Sequence, residues 1–375
     1  MFMSNCYECA HMKVVESVSD LSPINTQDNS INTDINFSTN MSFDDTEQTV
    51  VTCQYMDPFG KEYVCLAAAG ESGLCFWHDE SEAKDQSDDI KKKLEEFAQS
   101  GGQLRGIIVK RAHLRDINLV KGGAGDGYDL SNANFYRSDM TNAHLFNAKF
   151  DNGSLMKVDL HDANIHCTSL TNCNLLGIKL TNTKIDNIKI GTMLQQEAAG
   201  RIAERRRNKE KALDLFEQSE EIYRDLRKAS EAQGLYTMSG CFLQKELTMR
   251  RYQMPMFSAE RAMSKMVEMF SGYGESPARV VCFSLVLIVL SAVMYFITGI
   301  EFFGEGVGYS ADQSVSDNFQ AFSECLYYSI VTFTTLGYGD YIPIGMSRLV
   351  AAIEAFTGSF TIALFVVVFV KKMTR

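Results

Sequence analysis

Thr334-Thr335-Leu336-Gly337-Tyr338-Gly339-Asp340 lies between two long apolar runs. Gly337 and Gly339, one residue apart, let the backbone alternate between ordinary and left-handed conformations at little steric cost. Such alternation is what successive carbonyls need in order to turn to one side. The first run, Val280 to Ile300, is apolar apart from small or hydroxyl residues; the second, Leu349 to Val370, has Glu354 as its one charge. Each has just over 20 residues, about what a helix needs to cross roughly 30 Å of hydrocarbon. No Lys or Arg occurs between Arg279 and Arg348, a stretch that holds Glu301, Glu305, Asp312, Asp317, Glu324 and Asp340, and Lys371, Lys372 and Arg375 close the chain. The positive-inside rule then expects both ends in the cytoplasm of a cell-membrane protein and the connecting loop outside. Two spans with a re-entrant segment between them fit this pattern, because irregular backbone at membrane depth is tolerated only where protein buries it or it lines a water-filled path.

The seven residues are similar to the potassium-channel signature T-x-G-Y-G. A lone G-Y-G says little, since Gly272-Tyr273-Gly274 occurs in the same chain; here the motif sits in the right membrane frame. The resemblance implies a selectivity filter of Thr335, Leu336, Gly337, Tyr338 and Gly339, whose oxygens replace the hydration shell of K+. Ala321 to Phe333 reads as the short pore helix, with its negative dipole end toward the cation. Tyr327 and Tyr328 fall where related channels carry paired aromatics that brace the filter tyrosine, and Asp340 follows the filter as further support. Gly358 matches the hinge glycine of the inner helix in two-transmembrane potassium channels, and four chains are needed to ring the ion, so a homotetramer in a lipid bilayer is implied. The resemblance runs from Arg279 to Arg375, about a quarter of the chain. One departure is Val331, where many such channels place an acid that pairs with the aspartate after G-Y-G. An intramembrane Glu354 is by default a functional hypothesis; the reading preferred here is a carboxyl hydrogen-bonded to pore-helix backbone that braces structure.

Upstream, a second pattern governs the chain. Leu130, Phe135, Met140, Leu145, Phe150, Leu155, Leu160, Ile165, Leu170, Leu175, Leu180, Ile185 and Ile190 recur at every fifth position. Two residues before most of them stands a small one: Ala133, Ser138, Ala143, Ala148, Gly153, Ala163, Thr168, Cys173, Thr183. A period of five matches neither helix nor simple strand, and an internal repeat of this kind signals a stacked architecture. It resembles the pentapeptide repeat, which implies a right-handed quadrilateral β-helix with 20 residues per coil and both the large and the small residue pointing inward. Leu104, Val109, Leu114 and Leu119 extend the run in a shifted register, and the Gly-rich break from Val120 to Asp129 reads as an insertion bulging from one corner.

Cys53, Cys65, Cys75 and His78 are spaced C-x11-C-x9-C-x2-H among glycines, a proline and aromatics. A segment this short cannot bury a sufficient core of its own, and three thiolates with one imidazole would complete a closed tetrahedral site for structural Zn2+. The competing reading is reduced, partly buried cysteines beside an unrelated histidine. The segment is similar to small cysteine-rich modules that precede pentapeptide repeats in some bacterial proteins. Residues 1–50 lack any apolar core long enough for a signal peptide and read as a disordered tail; Cys6 and Cys9 in it form a lone C-x-x-C, as readily two unrelated thiols as a second metal site.

The domain reading is therefore 1–50 tail, 51–80 Cys/His module, 81–103 capping helix with an Ile90, Leu94, Phe97 stripe, 104–192 repeats, 193–278 helical connector and 279–375 two-span pore. In the connector Leu213, Phe216, Tyr223 and Leu226 share one face, Ala262, Met266, Val267 and Phe270 another behind a Ser258 cap, and Arg205, Arg206, Arg207, Lys209 and Lys211 form a basic run, read first as a solvated helix face. The net charge of −11 argues against nucleic acid as a partner. No regularly spaced Arg series marks a voltage sensor, no G-x-G-x-x-G opens a helix, and nothing makes a case for an enzyme. The whole chain resembles bacterial pentapeptide-repeat ion channels, which implies a potassium-selective subunit gated by an unknown cytosolic protein or ligand. The alternatives are a weakly selective cation channel and a membrane-anchored scaffold whose β-helix binds a protein partner.

Overall fold

The computed structural model describes residues 51–58, 64–85, 89–123 and 126–374. The expected tail, with Cys6 and Cys9, lies outside the described residues.

The period of five becomes the repeat of the fold. From Asp129 onward, parallel bridges join residues 20 apart and fall into four ladders, beginning Asp129↔Lys149, Asn134↔Ser154, Asp139↔Asp159 and His144↔Asn164. Between bridges the chain turns a corner with one residue at positive φ in each five, and at seven of these (Asn132, Asn142, Asn147, Asn152, Asn172, Asn182, Asn187) it is asparagine. Asparagine tolerates this left-handed region far better than branched residues do. The large residues and their small partners are buried together, so the interior is packed. Its hydroxyls are satisfied by carbonyls of the preceding coil: Ser138 Oγ donates to Val109 O at 2.7 Å and Thr183 Oγ1 to Leu160 O at 2.7 Å. Before the Gly-rich break the partners are 26 residues apart, as in Ile108↔Asn134, so the insertion lengthens one coil without disturbing the ladders.

The Cys/His module closes the N-terminal end of this stack. Ile108 N donates to Trp77 O at 2.8 Å, and Trp77 packs on Phe97 with ring centroids 5.5 Å apart. Phe97 belongs to α1 (Ile90–Gln99), which buries Ile90, Leu94 and Ala98.

At the other end the chain turns helical. α2 (Gln195–Arg205), α3 (Lys209–Ala232) and α4 (Tyr236–Gln253) pack together. Phe216, Tyr223 and Leu226 are buried as their spacing implies, whereas Leu213 is exposed because it sits at a rim shared with Arg207 and Met256. Charged side chains also bind the pair: Glu246 of α4 accepts from Arg227 Nε of α3 at 2.6 Å. α5 (Ala259–Ser271) follows, capped by Ser258 Oγ, which accepts from Arg261 N at 3.1 Å, and closed by Gly272 in the left-handed region.

Two long apolar helices come next, α6 (Pro277–Thr298) and α8 (Ser347–Met373), both long enough to cross a membrane. α7 (Val315–Phe333) lies between them and packs on both. It begins six residues before the expected pore helix because Ser314 Oγ accepts from Asp317 N at 3.2 Å and starts the helix there. A small antiparallel sheet, order β2-β1-β3, joins β1 (Ile300–Phe302), β2 (Glu305–Val307) and β3 (Tyr341–Pro343). Strands of three residues carry too little alternation to be read from sequence.

Candidate functional site

α7 ends at Phe333 and the backbone leaves it abruptly. Thr334 N donates back to Ile330 O and Leu336 N to Val331 O, each at 3.0 Å. Thr335, Gly337 and Gly339 then all have positive φ, at 58°, 58° and 78°. Left-handed and ordinary residues thus alternate through the stretch. Two of the three are glycine, for which this is free; Thr335 bears a cost of roughly 1–2 kcal/mol. Thr335, Leu336, Gly337, Tyr338 and Gly339 are exposed on the single chain.

The residues expected to support this stretch divide their roles. Within this one chain Tyr327 OH donates to Asp340 Oδ2 at 3.0 Å, and its ring meets Tyr341 edge-on. Asp340, which lacks an acidic partner at Val331, is thus held by a phenol. Tyr328 is buried and turns the other way, edge-on to Tyr295 of α6 at 4.8 Å. The sequence gives both tyrosines the same neighbourhood; the helical rotation of about 100° between consecutive residues turns them toward different neighbours.

A carboxyl does stand behind α7, supplied by α8. Glu354 is buried; Tyr295 OH donates to its Oε2 at 2.6 Å, and Ser329 Oγ lies 2.5 Å from its Oε1. The partners are hydroxyls of α6 and α7, where the sequence reading expected pore-helix backbone. Ser329 Oγ also lies 2.9 Å from Ile288 O.

Gly358, expected as a hinge, sits at a close contact. α8 runs unbroken through it, and a Cβ there would lie 2.2 Å from Phe333 O. The glycine lets α8 touch the C-terminal carbonyl end of α7. Sequence spacing shows a small residue on the inner helix but cannot show which backbone approaches it.

At the far end of α8, Lys371 Nζ donates to Glu275 Oε1 at 2.5 Å, and Glu275 is buried. Glu275 precedes α6 and also crowds Gly240 of α4, where a Cβ would lie 2.7 Å from its Oε2. The end of α8 is therefore tied to the helical connector.

Cys53, Cys65, Cys75 and His78 come together in the N-terminal module. All four are buried, and their donor atoms lie within 4.8 Å of one another. Cys65 Sγ and Cys75 Sγ are 3.8 Å apart, and Cys53 Sγ is 3.5 Å from His78 Nδ1. Tetrahedral bonds to zinc would put two sulfurs about 3.8 Å apart and sulfur and nitrogen about 3.6 Å apart, so the set fits. His78 Nε2 donates to Arg105 O at 2.8 Å. A carbonyl can only accept, so the other ring nitrogen, facing the thiols, is free to ligate. Burial pushes the Cys75 thiol up to about 12 and holds His78 below its ordinary value, so Cys75 stays a thiol and His78 stays neutral unless a bound cation displaces the thiol proton. This Cys3His cluster can hold a metal.

Residues 283–375 match the family model described as ion channel. The chain joins an ion-channel domain to pentapeptide repeats. The repeats match their own model over residues 129–162 and 138–177. The channel domain, with α6 and α8 long and apolar enough to cross a bilayer, makes this a membrane protein. No curated protein matches the chain. Among solved structures, a pentapeptide repeat protein from the Arabidopsis thaliana thylakoid lumen is 21% identical over 18% of this chain and 50% of its own, with a TM-score of 0.16. One from Nostoc Pcc 7120 is 25% identical over 25% of this chain and 74% of its own, with a TM-score of 0.15. This chain thus spans half the length of the first.

Proposed function

We propose that the chain is one subunit of a homotetrameric, potassium-selective channel. The observation that carries the reading is the alternation of positive φ at Thr335, Gly337 and Gly339, at the end of a helix held between two membrane-length helices. That backbone can turn successive carbonyls to one side, and four copies can replace the water that K+ sheds on entry. The acidic stretch between Arg279 and Arg348 would raise the local cation concentration at the outer mouth; the lack of Lys and Arg in it, against Lys371 and Lys372 after α8, favours both termini in the cytoplasm. Tyr327 holds Asp340 behind the filter, and Glu354 ties α8 to α6 and α7. Gly358 is the hinge position of α8 and packs closely on Phe333 O in this conformation.

The repeats form a right-handed quadrilateral β-helix outside the conduction path, with a packed interior. The N-terminal module binds one Zn2+ through Cys53, Cys65, Cys75 and His78; with four protein ligands the site is closed and structural. A cytosolic input acting on the helical connector can reach α8 through Glu275 and Lys371.

The test is the reversal potential of the purified chain in bilayers with potassium on one side and sodium on the other. Potassium selectivity drives it far from zero. A reversal near zero identifies a weakly selective cation channel. A verified tetramer that carries no current shifts the function to a membrane-anchored scaffold.

A further inference from the structure

α5 is amphipathic the wrong way round for a soluble domain. Its polar residues face the protein: Arg261 Nη1 donates to Met254 O at 2.9 Å, Ser264 Oγ lies 2.9 Å from Tyr273 OH, and Glu268 Oε2 accepts from Arg251 Nη1 at 2.5 Å. Ser271 is buried beside them. Arg261, Ser264, Glu268 and Ser271 follow the three-and-four spacing of one helix face. The opposite face presents Met263, Met266, Val267 and Met269, all exposed, and the turn before it adds Met256 and a fully exposed Phe257. Contiguous exposed apolar surface of this kind marks a contact with a membrane or another protein.

We propose that this face rests on the cytoplasmic leaflet of the bilayer, with the neighbouring basic run binding anionic phospholipid headgroups. The proposal rests on the membrane reading of α6 and α8, but not on conduction. Continuity with the membrane-spanning surface points to lipid as the occupant. α5 ends one short turn before α6, Phe270 packs on Phe283 of α6 at 4.3 Å, and Arg279 Nη1 donates to Glu268 O at 3.2 Å. The exposed face of α6 carries on in the same chemistry with Leu285, Val286, Val289 and Leu290. Charge points the same way. Arg205, Arg206, Arg207, Lys209 and Lys211 are exposed, and Arg207 and Lys209 line one cavity with Met256 and Arg261. A chain of net charge −11 therefore sets a basic cluster beside an apolar helix face at the point where it enters the bilayer. Apolar side chains below and basic ones at headgroup level are what an interfacial helix on an anionic leaflet requires. Methionine suits such a contact because it is flexible and polarizable.

Trp77 is the one tryptophan of the chain and is buried in the N-terminal module, so an added tryptophan can report on the bilayer against a built-in control. The full chain carrying Met266→Trp, and separately Met263→Trp, is reconstituted into phosphatidylglycerol vesicles containing lipid brominated along its acyl chains. The expected result is at least about a twofold loss of the added emission, with Trp77 in the unaltered chain unchanged. In phosphatidylcholine vesicles the loss is smaller, and replacing Arg205, Arg206 and Arg207 together with glutamine removes the difference between the two lipids. Probes that bromine quenches no better than Trp77 overturn the proposal: shielding from aqueous iodide would then assign the face to a neighbouring copy, and quenching by iodide would assign it to water. A lipid difference that survives loss of the three arginines overturns the headgroup contact. Lipid quenching in a chain that inserts but carries no current would sink the channel reading and leave this one standing; a chain stripped from vesicles by carbonate would sink both.

Discussion

The repeat domain and the pore domain use the same backbone device to opposite ends. Both depend on residues at positive φ at regular spacing, every fifth residue in the repeats and every second residue from Thr335 to Gly339. In the repeats each such residue turns a corner, and the chain then closes on itself: Leu130, Phe135, Leu160 and Ile185 are 0% exposed. In the pore domain the same conformation leaves the stretch open. Tyr338 is 67% exposed, and Phe356 of α8 is 78% exposed. The first region completes its core within one chain and in water. The second leaves apolar side chains facing outward from the single chain.

Four experiments test that contrast. The largest effect is expected in the N-terminal module, where the four donors are buried together. Zinc held by such a set contributes about 10–16 kcal/mol of apparent binding free energy. Metal analysis of the intact protein should give one zinc per chain, and Cys65→Ser or a strong chelator should expose Trp77 and red-shift its emission. Unchanged emission with no bound metal would mean that the module, like the repeats, sustains itself by packing.

Phe150 is buried between neighbouring coils and packs edge-on against Phe135 at 5.8 Å. Phe150→Ala should cost about 3–5 kcal/mol, visible as earlier loss of the β signal in urea, while the currents of folded channels keep their reversal potential. A shifted reversal potential would show that the two regions are not separable.

Gly358→Ala puts a methyl against Phe333 O and should cost about 1–3 kcal/mol of overpacking, lowering the thermal midpoint of the assembled protein and changing its currents. Because the added methyl itself collides, this variant does not isolate helix stiffness. Wild-type stability and currents would mean that the end of α7 yields easily.

The smallest effect belongs to the exposed Tyr327–Asp340 bond. Tyr327→Phe removes that bond and should show as faster loss of current during sustained opening. In a double-mutant cycle with Asp340→Asn the two losses should fall short of additive; full additivity would show that the hydroxyl has another role.

Much of this architecture was legible because it is written in periods. The five-residue spacing specifies buried positions without reference to distant residues, and two runs of membrane length flanking T-T-L-G-Y-G-D name their own environment. The Cys and His spacing picked out four residues that do meet. Features that depend on which element lies across from which were not legible. The partner of Asp340 is Tyr327, thirteen residues away, and the hydroxyls that hold Glu354 come from two other helices. Leu213 follows the periodicity of a buried face but lies at its rim, and the apolar stripe of α5, read correctly as a stripe, faces outward.

Local sequence was enough to specify the repeat, the two apolar helices, the glycines that permit the stretch at 337 and 339, and the four-residue donor set. Each follows from periodicity, composition or the conformational range of single residues. Tertiary packing was needed to establish that Gly358 meets Phe333 O, that Lys371 reaches Glu275, and that α5 turns its polar side inward. Those outcomes depend on the relative placement of segments up to 96 residues apart, and no local property of a residue encodes which distant backbone will come within reach of it.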